Sequence, residues 1–147
     1  MKYPKNLELW SALIILLTGT IFSVIAFALW YQLTFFIGPY LFIHWLGIIG
    51  SVFIAVFNPL YYILRRRKRL SKTFMRLHVF GNLFAFLLVS LHFAQNFGRL
   101  IEVPQRLSEG LALYFTIFIV IITGLIERFY NRKSSRLIKN IHKYIVI

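Results

Sequence analysis

Residues 9–64 carry no Lys, Arg, Asp or Glu. A helix needs about 20 apolar residues to cross a hydrocarbon core of roughly 30 Å, so a run of this length crosses twice and turns once. Gly38-Pro39 supplies the turn and predicts two helices, over 9–33 and 40–64. Asn58-Pro59 falls near the end of the second, where the missing proline N–H predicts a kink. Two further stretches predict spans over 77–98 and 110–130, the last finishing in an interfacial end. In residues 131–147, Leu137, Ile138, Ile141 and Ile145 share one face, and Ser134 or Ser135 supplies a cap. That pattern predicts a short interfacial amphipathic helix. The expected fold is an all-α membrane protein, a four-transmembrane-helix bundle in one domain over 1–147, with a short C-terminal interfacial helix.

Composition narrows the solvent and the chemistry. With 59% hydrophobic and only 14% charged residues in a chain of 147, a water-soluble domain of this size could not hide its apolar side chains. Sixteen Phe and a mean hydropathy of +0.74 exclude disordered and collagen-like chains. The absence of Cys removes disulfides, thiolate metal sites, iron–sulfur clusters and covalently attached c-type haem. Any metal must be held by His or acidic groups.

The net charge of +13 matters through its placement. Lys2 and Lys5 precede the first span; Arg65, Arg66, Arg67, Lys68, Arg69, Lys72 and Arg76 join the second to the third. Arg128, Arg132, Lys133, Arg136, Lys139 and Lys143 follow the fourth. Only Arg99 and Arg106 lie on the opposite side. The positive-inside rule therefore predicts a multi-pass protein of the cell membrane with both termini cytoplasmic. Topology and anionic headgroups account for the basic segments, and no nucleic-acid partner is expected. No span has a central acidic residue, since Glu8 and Glu127 fall at inner helix ends and Glu102 and Glu109 in the outer loop, which argues against a proton-coupled transporter.

Ionisable groups at membrane depth are costly, which singles out His44, His78 and His92. His44 lies about four residues, roughly 6 Å, from the outer end of the second span, and His92 lies at a similar depth on the third. His78 and His92 are fourteen residues apart on one helix, so their directions differ by about 40° and their heights by roughly 21 Å. That separation suits two porphyrins stacked across a membrane. Gly81 and Ala85 follow His78 at offsets of three and seven, and Gly47 and Ser51 follow His44 at the same offsets. These small residues either let a flat macrocycle approach or let helices pack closely. His44 with His92 forms the outer pair. His78 with His142 forms an inner one, with His142 either turned inward or exposed beside Lys143.

The run RLHVFGNLFAFLLVSLHF, residues 76–93, resembles the ligand helix of small di-haem membrane cytochrome b domains, of the ferric-reductase-like and cytochrome b561-like kind. The tail IKNIHKYIVI resembles the start of a second Leu-His helix, with Ile141 in place of Leu. The resemblance covers less than half of the chain. It departs from ferric reductases in having four spans rather than six, four His in total, and no dinucleotide-binding fingerprint. One double-His helix with two single-His partners is closer to the cytochrome b subunits that anchor respiratory dehydrogenases.

The resemblance implies one or two haem b groups, metal ligation by His44, His92, His78 and His142, and other redox subunits as partners beside the lipid bilayer. Arg76, Arg99 and Arg106 read either as propionate partners or as interfacial anchors. Gln95 and Asn96, one turn beyond His92, read either as a quinone head-group site or as interfacial amides. The expected function is thus a b-type cytochrome subunit carrying electrons across the membrane between two bis-His haems, in a respiratory or ferric-reductase-like complex. The alternative is a cofactor-free accessory subunit of a larger membrane assembly.

Overall fold

Every apolar run becomes a helix. In the computed structural model α1 spans Lys5–Ala28, α2 Phe42–Arg66, α3 Lys72–Phe97 and α4 Pro104–Phe129. The structure describes residues 5–29, 34–97 and 104–129, with side chains over 7–29, 34–97 and 109–129. The C-terminal segment 131–147, with its expected interfacial helix and His142, lies outside the described residues, as does Arg99; so does the side chain of Arg106. All four helices are long and apolar enough to cross a membrane, and the chain is a multi-pass all-α membrane protein.

Helix boundaries differ from the charge-free runs for a simple reason. Lys and Arg at the interface keep a helical backbone while their stems carry the charge to the headgroups, so a charge scan reads hydrophobic depth rather than helix length. Helix α3 accordingly begins at Lys72 instead of 77. Helix α4 begins at Pro104, a position where the missing N–H has no helical acceptor to lose. Helix α2 runs through Pro59 as one element to Arg66.

Gly38-Pro39 turns the chain as expected, inside a feature the hydropathy pattern does not signal. Residues Phe36–Ile37 (β1) and Tyr40–Leu41 (β2) pair antiparallel as a two-rung hairpin. Gly38 takes φ +62, a left-handed conformation that a Cβ would strain. Trp45 Nε1 donates to the Ile37 carbonyl at 2.8 Å, and the Phe35 and Phe42 rings stack at 5.0 Å, which ties the hairpin to the start of α2.

Helix α3 is the element on which the others pack. It buries Asn82, Leu83, Ala85, Phe86, Ser90 and Gln95 on several faces. Ala12 of α1, Leu83 and Phe86 of α3 and Ile121 of α4 form a buried cluster, with Tyr114 and Ile117 against it. Tyr114 stacks on Phe93 at 4.3 Å, and its hydroxyl lies 3.1 Å from Ser90 Oγ. Outward positions on α1, α2 and α4, such as Leu17, Val52 and Leu113, are large and exposed, as lipid contact requires.

Candidate functional site

The seam between α2 and α3 collects most of the chemistry read from the sequence. Running from one end to the other, it pairs His44 and Gly47 with His92, Gly50 with Ala85, Phe53 with Gly81, Asn58 with Asn82, and Tyr61 with His78. Positions three to four apart on each helix share a face, which is why a stripe of one helix can meet a stripe of the other. Both His78 and His92 point toward α2, as their spacing predicts.

At the hairpin end the His44 and His92 rings lie 5.5 Å apart at 61°. His92 Nδ1 is 3.0 Å from the Ile43 carbonyl. A carbonyl only accepts, so Nδ1 carries the proton and Nε2 keeps its lone pair, the tautomer that a metal-bound imidazole adopts. Asn96 Nδ2 donates to the His92 carbonyl at 2.8 Å and lies 3.2 Å from Nε2. His44 Nδ1 is buried with no hydrogen-bond partner. Two imidazoles bound to one metal at about 2.0–2.1 Å per nitrogen have ring centres roughly 6 Å apart. The ring separation is near that figure, while the Nε2 lone pair of His92 faces the Asn96 amide.

The small residues beside these histidines are seats in the helix interface. A Cβ on Gly47 would lie 2.8 Å from the His92 ring, and one on Gly50 would lie 2.8 Å from the Ala85 carbonyl oxygen. Gly81 receives the end of the Phe53 ring. Ala85 is 1% exposed. Of the two readings open for Gly47, Gly81 and Ala85, close packing is the one their contacts display.

Toward the opposite, basic end α2 and α4 flank a partly open cleft of about 560 Å³ with α3 as its floor. This falls in the range of ligand pockets, about 300–1,000 Å³. His78, Asn58, Asn82 and Tyr61 line it among Ile54, Val79, Val120 and Ile121, and Arg65 and Arg128 stand at the rim. Tyr61 stacks on His78 with ring centres 3.8 Å apart at 10°. Asn82 Nδ2 donates to Asn58 Oδ1 at 2.8 Å and lies 3.1 Å from His78 Nδ1.

Arg76 is turned to a protein carboxylate. Its Nε donates to Glu8 Oε1 at 3.0 Å, and Arg128 donates to Glu8 Oε2 at 2.7 Å. This ties the start of α1, the start of α3 and the end of α4 together on the basic face. Gln95 is 3% exposed, and Asn96 is engaged with His92. Charge counting overlooks Glu8 as a clamp and Asn58 and Asn82 as a pair; the available signal was two amides inside uncharged spans.

Among the described residues no group of three or more His, Cys, Asp or Glu gathers as a metal site. Set against known proteins, the chain matches no family model, no characterised protein and no solved structure.

Proposed function

We propose that this protein is a b-type cytochrome subunit of the cell membrane, with haem b ligated by His44 and His92. It carries electrons between the membrane faces within a respiratory or ferric-reductase-like complex, both termini lying in the cytoplasm. The observation that carries the reading is the meeting of the two rings at 5.5 Å, with His92 Nδ1 held on the Ile43 carbonyl. Bound through two imidazoles, haem supplies one-electron transfer with no coordination position left open. The chain's own part is to orient His92 through Ile43, to keep α2 free of a side chain at Gly47, and to exclude water with apolar helices. A second haem, on His78 and His142, rests on the resemblance of the sequence alone.

Reduced, haem-supplemented protein in detergent is expected to show the bands of a low-spin bis-imidazole haem. His92→Ala and His44→Ala should each abolish them at the outer site, while His142→Ala reports on a second haem. Undiminished band intensity in both outer variants, or bands that survive them in combination with His142→Ala, would refute the assignment.

The seats at Gly47, Gly50 and Gly81 favour a second reading, a cofactor-free subunit whose aromatic helices pack within a larger assembly. Absence of any haem band after supplementation establishes that alternative.

A further inference from the structure

Two hollows meet at the basic end of the bundle. The smaller, about 220 Å³, is lined by Lys72, Arg76, Arg128 and Glu8. The larger is the 560 Å³ cleft between α2 and α4, whose mouth adds Arg65 and Glu127. Met75 and Arg128 line both, so a charged pocket opens onto a chiefly apolar one. Charge in the joint site is unbalanced, with four cationic side chains against two carboxylates. Arg128 donates to Glu8 through Nη2, one of the five N–H donors that a guanidinium carries being spent in that bond. Lys72 and Arg65 are exposed and form no ion pair among the described residues.

From the charged pocket the cleft runs on toward mid-membrane. Between Arg128 and Thr116 its α4 wall is twelve residues, about 18 Å, long, close to the roughly 15 Å half-thickness of a hydrocarbon core. Val79, Leu83, Ile117, Val120 and Ile121 give it an aliphatic lining. The polar groups along the way are turned on one another: Asn82 Nδ2 donates to Asn58 Oδ1 and lies 3.1 Å from His78 Nδ1, and Tyr61 stacks on His78. A helix about 10 Å wide would occupy roughly 1,400 Å³ over the same length, so the cleft admits an acyl chain and not a helix.

We propose that the joint site binds an anionic phospholipid of the leaflet at the basic end. Lys72 and Arg128 hold its phosphate in the smaller pocket, one acyl chain lies along α4 in the cleft, and the other chain stays in the bilayer. Diffuse attraction of headgroups to a basic surface does not select a position. A cationic pocket that continues into a chain-sized cleft does. The site is independent of whether His44 and His92 carry iron.

The test uses the full chain as purified, delipidated in detergent and titrated with dioleoylphosphatidylglycerol, dioleoylphosphatidylcholine or inorganic phosphate, with bound ligand read by native mass spectrometry. Phosphatidylglycerol is expected to saturate at one per chain, phosphatidylcholine to bind about fivefold more weakly or worse, and phosphate alone not to bind. Lys72→Gln should weaken phosphatidylglycerol about fivefold, the worth of one basic side chain at a headgroup, while Arg67→Gln, outside both hollows, should leave it unchanged. Val120→Trp, which fills the cleft, should weaken both lipids about tenfold. If that variant does not fold, dihexanoylphosphatidylglycerol takes its place as the test of the chain and should bind the unaltered protein at least about tenfold more weakly than the dioleoyl lipid. Equal losses from Lys72→Gln and Arg67→Gln would mark diffuse attraction, and phosphate binding as tightly as the lipid would mark a bare anion site. Phosphatidylglycerol binding unchanged by Val120→Trp would put the chain elsewhere. Any of these three results overturns the proposal.

Discussion

His78 and His92 share a helix and a face, yet their neighbours set them up for different work. His92 Nδ1 meets a carbonyl and must donate; His78 Nδ1 meets the Asn82 amide nitrogen and must accept. The first arrangement leaves His92 Nε2 as an acceptor facing the Asn96 amide at 3.2 Å, and the second leaves the proton of a neutral His78 on Nε2. Glu8 shows the same dependence on neighbours. Its carboxylate, 13% exposed, accepts from two guanidinium groups that are themselves 35–43% exposed. Glu8→Gln keeps the shape and removes the charge, and is expected to lower stability by on the order of 1 kcal/mol, since partial exposure screens both pairs. Thermal unfolding in detergent checks this, and a double substitution with Arg128→Gln should cost less than the sum of the single changes.

At the scale of elements, the α2–α3 seam is held by shape more than by hydrophobicity, because lipid is as apolar as the side chains it would replace. Gly50 is the tightest backbone approach: its missing Cβ faces the Ala85 carbonyl oxygen, which cannot swing aside as a side chain can. Gly50→Ala is therefore expected to destabilise the protein by about 1–3 kcal/mol through overpacking. Gly19→Ala serves as the control, since its Cβ would meet only Leu87 at 3.4 Å, and it should leave the unfolding midpoint nearly unchanged. Equal midpoints for the two variants would mean that the seam yields to an added methyl at Gly50.

At the scale of the molecule, the Glu8 clamp gathers the start of α1, the start of α3 and the end of α4 at one end, while the hairpin around Gly38 lies at the other. The proposed orientation puts the clamped, basic end in the cytoplasm. The chain lacks Cys, so single thiols can report it directly. Ser71→Cys in the α2–α3 connection should react with an impermeant maleimide only after cells are opened, and Phe36→Cys, at a 71% exposed hairpin position, should react in intact cells. The reverse pattern would invert the topology and move the outer histidines to the inner leaflet.

Four spans, their order and the shared direction of His78 and His92 were all legible from the sequence, because burial in lipid forbids charge over a helix length and 3.6 residues per turn fixes which positions align. The Gly38 turn was legible for a similar local reason, since only glycine adopts that φ freely. What fills the space beside Gly47 and Gly81, which carboxylate Arg76 answers, and how Asn58 and Asn82 come to face one another were decided only when helices met. Hydropathy records whether a residue avoids water and is silent on its neighbour across an interface. That neighbour depends on rotation and offset between helices, and it is there, in the seam and the cleft beside it, that a small residue becomes a seat and an amide becomes part of a site.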